Sequence, residues 1–365
     1  MIHTLELILG LSSCEYSNML DVFTRLKEKE RRADEILEKK KRPVVVSSIR
    51  LDKSRNSGIK KLSLMRTIWN DKTFVIIKLE PQIMLEEKRT IRLFNPIHEN
   101  IEILRDRFME EMKKCLRTTN RLTDLYVWDV NRLDITYNFV LQNTKERDVF
   151  LDIIKRTSRL VRTKPKVMKK TSKKNQSTAE GNHSFKFMAY DKHRQINDVY
   201  NSIGYDEKIR LLKESENTVR IEVQLYKRKL RSIQKKLNFP NRNILNYLKK
   251  EWQDELFFKQ YRNSIGIGDF YSLYKAREKL FEQNPKPKMF EKLLNFLELL
   301  SQSRSIDASK KKFIKGTIVN KKLVKGSLRT FNTYLNKLNE MGINPITLPR
   351  RWGIDFLQNP IRKFQ

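Results

Sequence analysis

The sequence predicts an α+β fold, with a largely antiparallel sheet domain over residues 1–240 and a helical, basic domain over residues 241–365. Most segments rich in β-branched residues lie within the first 230 residues of the 365-residue chain, with short helical segments between them. From Pro240 onward, apolar residues recur instead at helical spacing. These two observations place the predicted boundary near residue 240.

Seven strands are expected in the first domain: 1–11, 44–51, 61–68, 72–79, 122–141, 185–190 and 218–226. The polar residues around Asp71 predict a hairpin between the third and the fourth of these strands. The spacing of apolar residues predicts helices over 15–41, 100–116, 144–161 and 195–215, the second of them capped by Asn100. In the second domain we expect helices over 243–261, 268–281, 289–302 and 326–341.

The charge of the chain is strongly positive and clustered. Seventy-seven Lys and Arg against 43 Asp and Glu give a formal charge of +34. Acid-free basic runs occupy 155–174, 227–250 and 308–339, and the first continues into a predicted basic loop over 162–182. Because phosphate neutralisation by Lys and Arg supplies most non-specific affinity for nucleic acid, we expect a polyanionic partner.

Several classes of protein are disfavoured. Cys14 and Cys115 are too few for a disulfide framework or a cysteine zinc site. No apolar stretch reaches the ~18 residues of a membrane span, and residues 1–11 lack the basic start of a signal peptide, so we expect a cytoplasmic protein without a membrane partner. There is also no Walker A loop, no Gly-x-Gly-x-x-Gly motif and no His-x-His pair.

Two carboxylates lie inside apolar strands. Asp134 shares a predicted strand face with Arg132, and Glu222 shares one with Arg220. One interpretation is two surface ion pairs on a half-exposed sheet. The other is a divalent-metal site, because Mg²⁺ prefers carboxylate oxygens together with substrate phosphates. The second interpretation requires both carboxylates to converge on one face.

Tyr190 ends the predicted strand 185–190, with Lys192 nearby and His183 upstream. A tyrosine hydroxyl can attack a phosphodiester when a cation polarises the phosphate. The alternative is a strand-end tyrosine that only packs its ring. A single metal-bridged phosphate requires the Tyr190 hydroxyl and the carboxylates of Asp134 and Glu222 to lie within roughly 10 Å of one another, since metal–oxygen distances are ~2.1 Å.

Five segments carry a resemblance to a known family: FVIIKLEPQIML at 74–85, NRLDITYNF at 131–139, FMAYDKHRQI at 187–196, VRIEVQLYKRKL at 219–230 and KGSLRTFNTYLNKLNEMGI at 325–343. Their content and order resemble the gene II/X family of rolling-circle replication initiators of filamentous phages and related plasmids. The resemblance implies a nuclease-type sheet domain. From the basic helices after residue 240, particularly 328–341, we expect a C-terminal DNA-binding domain of winged-helix or helix-turn-helix character.

The resemblance also implies roles for individual residues. Tyr190 matches the nucleophile of a Tyr-x-Lys segment, and Lys192 would contact the scissile phosphate. Asp134 and Glu222 match carboxylates that would hold Mg²⁺ or Mn²⁺, with His183 as a further candidate ligand. Arg132 and Arg220 would contact the same phosphate or pair with the carboxylates. From the basic runs and the C-terminal helices, the further side chains expected to contact DNA are Lys227, Arg228, Lys229, Arg231, Lys169, Lys170, Arg329 and Lys337.

The implied activity is nicking of one strand at an origin, through a 5′-phosphotyrosyl intermediate, followed by rejoining without ATP. The expected partners are duplex or hairpin origin DNA and a single-stranded nick site, in the cytoplasm of a bacterial host. A host helicase and a second copy of the chain stay open as further partners. Two other functions also stay open: a non-catalytic DNA-binding initiator or regulator, and an RNA-binding or capsid-associated basic protein.

Overall fold

The computed structural model describes residues 1–25, 44–50, 57–67, 71–117, 119–157, 177–199, 203–303 and 305–364. Eight strands form one sheet in the order β2-β3-β4-β1-β5-β8-β7-β6, and every neighbouring pair is antiparallel. These strands are β1 Ile2–Leu11, β2 Val44–Arg50, β3 Ile59–Arg66, β4 Thr73–Leu79, β5 Asp129–Val140, β6 Ser177–Gly181, β7 Phe185–Asp191 and β8 Thr218–Tyr226.

The described residues contain 13 α-helices and two further pairs of short strands. The helices are α1 Ser13–Arg25, α2 Pro81–Glu86, α3 His98–Leu116, α4 Thr144–Thr157, α5 Lys192–Val199, α6 Tyr205–Glu214, α7 Lys227–Lys236, α8 Ile244–Tyr247, α9 Lys250–Ser264, α10 Leu273–Glu282, α11 Pro287–Ser303, α12 Ile306–Lys315 and α13 Leu328–Glu340. The paired strands are β9 Phe270–Tyr271 with β12 Phe356–Leu357, and β10 Thr317–Val319 with β11 Lys322–Val324.

The two faces of the central strands have different roles. On β5, the odd-numbered side chains Leu133, Ile135 and Tyr137 belong to the hydrophobic core. Helix α9 covers this face, with the ring of Phe257 4.3 Å from that of Tyr137. Because side chains alternate along a strand, the even-numbered residues of β5 point to the opposite face, which carries the polar side chains described below.

The structure confirms a mixed fold with a large antiparallel sheet, including the hairpin of β3 and β4. Helix α3 begins two residues earlier than expected, and its cap is Ile97 rather than Asn100. The Asn100 side chain instead donates to the Asn95 carbonyl oxygen at 2.9 Å. The predicted cap was therefore wrong, because this amide satisfies the preceding turn and not the first turn of the helix.

Other predicted elements are divided or shortened. The helix expected over 195–215 is two helices, α5 and α6, and the one expected over 243–261 is α8 followed by α9. The strand expected over 122–141 begins only at Asp129, after two 3₁₀ turns. Of the predicted basic loop, residues 162–176 lie outside the described residues, while 177–181 form strand β6, so the loop prediction was wrong for that part.

Helix α9 follows residue 240 yet packs on the sheet, and the helices up to α13 contribute to the same hydrophobic core. The domain boundary near residue 240 and the winged-helix character stay predictions. Among the described residues, no helix combines the length and the hydropathy that crossing a bilayer requires.

Candidate active site

Three adjacent strands bring polar side chains together on the face opposite α9. β5 lies between β1 and β8, and β7 pairs with the far edge of β8. The register places Thr136 of β5 opposite Glu222 of β8, and Arg220 of β8 opposite Tyr190 of β7. Residues directly opposite each other share a sheet face, so Asp134, Glu222 and Tyr190 all point to this side.

A cluster of potential metal ligands lies at the centre of this face. His3, Asp134 and Glu222 each offer one ligand atom, and these atoms all lie within 4.8 Å of one another. The His3 Nδ1 is 3.5 Å from Glu222 Oε1 and 3.1 Å from the Thr4 hydroxyl. Burial lowers the pKa of His3 well below its usual value, and the nearby cations Arg220 and Lys192 act in the same direction. The imidazole is therefore neutral near pH 7, which is the form that binds a metal.

Asp134 is buried, with 1% of its surface exposed. Arg132 contacts it through two hydrogen bonds, from Nε at 2.8 Å and from Nη2 at 2.7 Å, and the guanidinium also lies over the Tyr226 ring. Burial raises the pKa of Asp134 to about 7, although the Arg132 interaction opposes this rise. The Asp134–Arg132 ion pair is therefore present, but the interpretation as a surface pair on a half-exposed sheet is wrong for Asp134, because this carboxylate is buried.

Glu222 connects the ligand cluster to Tyr190. The Tyr190 hydroxyl donates to Glu222 Oε1 at 2.6 Å, while the Gln224 amide donates to Oε2 at 3.1 Å. Tyr190 is 7% exposed. Burial raises the pKa of Tyr190 well above its usual value, and the neighbouring Glu222 charge adds to this while Arg220 opposes it. The hydroxyl is therefore protonated in the resting protein, and it already contacts a proton acceptor.

Two buried cations lie near this pair. Lys192 begins α5, and its Nζ donates to Gln195 Oε1 at 2.9 Å. Burial lowers the pKa of Lys192 well below its usual value, and Arg220 contributes to the lowering. Arg220 is fully buried and donates through Nε to Asn138 Oδ1 at 2.8 Å, and it lies on the same sheet face as Tyr190 and Glu222.

The donor set fits a hard divalent cation. Two carboxylates and one neutral imidazole converge, and among the described residues this is the one group of three or more such side chains close enough to share an ion. The Tyr190 oxygen lies 2.6 Å from one of these carboxylates, far inside the roughly 10 Å limit set by metal–oxygen geometry. A buried carboxylate with a raised pKa is also a group that a bound cation would stabilise.

His183 does not join this cluster. It lies exposed between β6 and β7, at the opposite end of β7 from Tyr190. His183 lies in the turn that precedes β7, and the five residue steps of strand from Phe185 to Tyr190 alone span roughly 17 Å at ~3.3 Å per residue. The histidine in the cluster is His3, which the sequence reasoning did not select. Its position depends on a register shift between Ile2 and Thr4 in the pairing of β1 with β5, an irregularity that re-aims a side chain.

The residues expected to contact DNA lie in several places. Arg132 contacts Asp134 at the site, and Arg220 is buried opposite Tyr190 on the same sheet face. Lys169 and Lys170 lie outside the described residues. The remaining side chains are exposed or partly exposed on two helices: Lys227, Arg228, Lys229 and Arg231 on α7, and Arg329 and Lys337 on α13.

Comparison with known families gives one match. Residues 98–254 match the model of a phage family described as the N-terminal part of a replication-associated protein. The matched range includes Asp134, Tyr190 and Glu222 but not His3 or the chain beyond α9. No curated protein and no solved structure matches the chain. The resemblance identified in the sequence is confirmed by this match.

Proposed function

The match of residues 98–254 supports the phage rolling-circle replication initiator family and a replication initiator role for this chain, and from this premise we propose that it is the origin-nicking enzyme. The proposed reaction is cleavage of one DNA strand by Tyr190, followed by rejoining. The observation that carries the proposal is the 2.6 Å hydrogen bond from the Tyr190 hydroxyl to Glu222, within a cluster of potential metal ligands.

The first chemical step begins with Tyr190 and Glu222. Glu222 Oε1 accepts the phenolic proton as the Tyr190 oxygen attacks the phosphorus. A bond forms between the tyrosine oxygen and phosphorus, and the bond from phosphorus to the 3′ oxygen breaks. The 3′ oxygen takes a proton from solvent and becomes the 3′-OH that primes synthesis, while the 5′ phosphate stays on Tyr190. One phosphodiester replaces another, so attack by a 3′-OH reverses the step without ATP.

The remaining side chains position the phosphate and balance charge. His3, Asp134 and Glu222 would hold Mg²⁺ or Mn²⁺, which would polarise the phosphate and stabilise the charge that develops on it. Arg132 holds the Asp134 carboxylate in a fixed orientation through two hydrogen bonds. Lys192, close to Glu222 and Arg220, keeps its predicted role at the scissile phosphate, since an anionic phosphate would favour its charged form.

Mutation of the nucleophile tests the proposal. The assay incubates the protein with Mn²⁺ and a supercoiled plasmid that carries the origin of the replicon, and then scores relaxed circles and protein attached to the 5′ end. Tyr190→Phe should lower nicking by at least about 10³-fold, because it removes the attacking oxygen but keeps the ring. The control is Tyr205→Phe, a change at an exposed tyrosine at the start of α6.

The outcomes separate the candidate functions. Wild-type nicking with covalent attachment, lost in Tyr190→Phe and kept in Tyr205→Phe, supports the nickase. Nicking by Tyr190→Phe at the wild-type rate would show that another group is the nucleophile. Origin binding without nicking by the wild-type protein in Mg²⁺ or Mn²⁺ would favour the non-catalytic initiator.

A further inference from the structure

The short hairpin formed by β10 and β11 presents an apolar pair to solvent. Ile318 and Leu323 lie directly opposite each other in the register and are each 65% exposed. On the other face of the hairpin, Val319 and Val324 are buried in the hydrophobic core. The two side chains therefore form one small apolar patch on the surface, rather than two scattered apolar residues.

The hairpin is fixed in place rather than loosely attached. Asn320 and Lys321 both have positive φ values, 49° and 62°, as a two-residue type I′ turn requires. The Asn320 amide donates to the Glu298 carboxylate on α11, which ties the turn to the helix beneath it. Both strands contact α11, so the pair of Ile318 and Leu323 is held at a defined position.

The surroundings of this pair are basic. Residues 308–339 contain nine Lys and Arg and no acid. Lys315, Lys321 and Lys325 are exposed immediately beside the two strands, and Lys322 pairs with Glu291. A protein partner would need an acidic rim to match these lysines, whereas DNA offers phosphates around an apolar interior of stacked bases. The charge therefore favours DNA as the occupant over a second copy of this basic chain.

We propose that the β10–β11 hairpin inserts Ile318 and Leu323 between base pairs of duplex DNA while the flanking lysines contact phosphates, so that the duplex is unstacked locally. Apolar wedges of Ile or Leu act in this way in proteins that kink DNA, at a cost of a few kcal/mol per step. The inference rests on the proposed function, because a nickase that cuts locally single-stranded DNA must first open the duplex.

The test uses the double variant Ile318→Ser with Leu323→Ser, which removes the apolar pair but keeps the turn and the buried valines. The matched control is Tyr274→Ser on α10, another large side chain that is 63% exposed, next to Glu278. Permanganate reactivity of thymines reports unstacking on supercoiled plasmid that carries the origin. This measurement is made in a Tyr190→Phe background, so that it does not depend on cleavage. In proteins that keep Tyr190, nicking of the plasmid is compared with nicking of a single-stranded oligonucleotide that contains the cleavage site.

We expect the double variant to lose permanganate reactivity and to lower the ratio of plasmid to oligonucleotide nicking about tenfold, while Tyr274→Ser changes neither. Wild-type permanganate reactivity in the double variant would overturn the hairpin inference. The inference would also be overturned if the wild-type protein is a dimer, the double variant is a monomer and permanganate reactivity is unchanged. In that case the apolar pair would contact a second copy of the chain. If no protein nicks either substrate but the hairpin still governs permanganate reactivity, the proposed function fails and the hairpin inference stands.

Discussion

The residues of the candidate active site are not arranged for stability. Asp134 is buried beside Arg132, and burial raises its pKa from 3.8 to about 7. Tyr190 is buried with its hydroxyl bound to a second carboxylate. Desolvated carboxylates of this kind cost folding free energy, which a bound cation and a phosphate would recover. We therefore expect substitutions here to separate stability from activity.

Asp134→Asn should stabilise the metal-free protein at high pH. Because the folded pKa is about 7 and the unfolded value is 3.8, the folded protein retains a proton that the unfolded chain has lost between these values. The stability contributed by this group therefore falls as pH rises from about 4 to about 7. Asparagine cannot ionise. The free energy of unfolding of the variant should therefore exceed that of the wild type by on the order of 1 to 2 kcal/mol above about pH 7, and it should lose most of this pH dependence.

Urea unfolding without metal, at about pH 5.5 and about pH 8, measures this difference. The control is Asp152→Asn, a change at an exposed carboxylate on α4. If Asp134→Asn is less stable than wild type at the higher pH, the Arg132 ion pair outweighs desolvation and the argument is wrong.

His3→Ala should weaken binding of Mn²⁺ at least about tenfold, because it removes one of three convergent ligands. His183→Ala provides a control of the same chemistry, because His183 is exposed at the far end of β7. Calorimetric titration with Mn²⁺ measures both variants. If His183→Ala binds Mn²⁺ more weakly and His3→Ala binds it as wild type does, then His183 is the metal ligand, as the sequence suggested, and His3 is not.

His3 and His183 show which part of the candidate site could be predicted from the sequence and which part could not. Asp134, Glu222 and Tyr190 each stand out locally, as polar residues within strands of alternating character. His3 gives no such signal, because it reaches the cluster only through the pairing of β1 with β5 and the register shift beside it. Pairing between strands more than 100 residues apart depends on sheet order, which local periodicity does not encode.

At the scale of elements, the sequence predicted most strands and helices but not every boundary. Helix α1 shows how local chemistry sets a boundary: the Ser12 hydroxyl accepts from the Glu15 backbone N–H, and Glu15 accepts from the Ser12 backbone N–H. This reciprocal arrangement is a capping box, and its residues are adjacent enough to be read in sequence. The division of residues 195–215 into α5 and α6 is likewise marked locally, because Gly204 is the N-cap of α6 and Asp206 and Glu207 lie in its first turn.

The Glu15 carboxylate also receives two hydrogen bonds from Arg121, at 2.5 and 2.7 Å, which attach α1 to the turn before β5. The Arg121 hydrogen bond lowers the pKa of Glu15 to about 2 from 4.5. Arg121→Met should therefore lower the free energy of unfolding by about 1 kcal/mol near pH 7. The effect is modest because Arg121 is about half exposed and solvent screens its ion pair with Glu15.

The loss should follow the ionisation of Glu15. A depressed carboxylate pKa stabilises the fold above the unfolded value, so the difference between wild type and Arg121→Met should shrink below about pH 4.5 and vanish near pH 2. Urea titrations from neutral to acidic pH give this difference. Arg105→Met on α3 serves as a control, because the ion pairs of Arg105 are longer, at 3.6 and 3.8 Å, and its guanidinium also lies over the Tyr126 ring. A difference that is constant with pH would assign the effect to packing of the Arg121 stem.

At the scale of the whole molecule, the formal charge of +34 is distributed unevenly around the small acidic cluster. Helix α7 begins immediately after β8, the strand that holds Glu222, and its exposed basic side chains include Lys227, Arg228 and Arg231. Leu230 and Ile233 bury the opposite side of this helix. Tyr226, the last residue of β8, lies roughly 20 Å along the strand from Arg220, the residue opposite Tyr190. We therefore expect DNA whose scissile phosphate reaches Tyr190 to contact α7 through its flanking segment, whereas the total charge alone would attract DNA to any part of the surface.

Salt dependence distinguishes local contact from general attraction. Replacing Lys227, Arg228 and Arg231 by Gln should lower the slope of log affinity against log salt by about 2.7, because each phosphate contact contributes about 0.9 for duplex DNA. Replacing Lys113, Lys114 and Arg117, which are exposed at the end of α3, removes the same three charges from a part of the chain that belongs to neither α7 nor the β10–β11 hairpin. If the total charge governs binding, both triple variants change the slope equally. If α7 lies along the bound duplex, only the first does, and its nicking rate at about 0.2 M salt falls with its affinity.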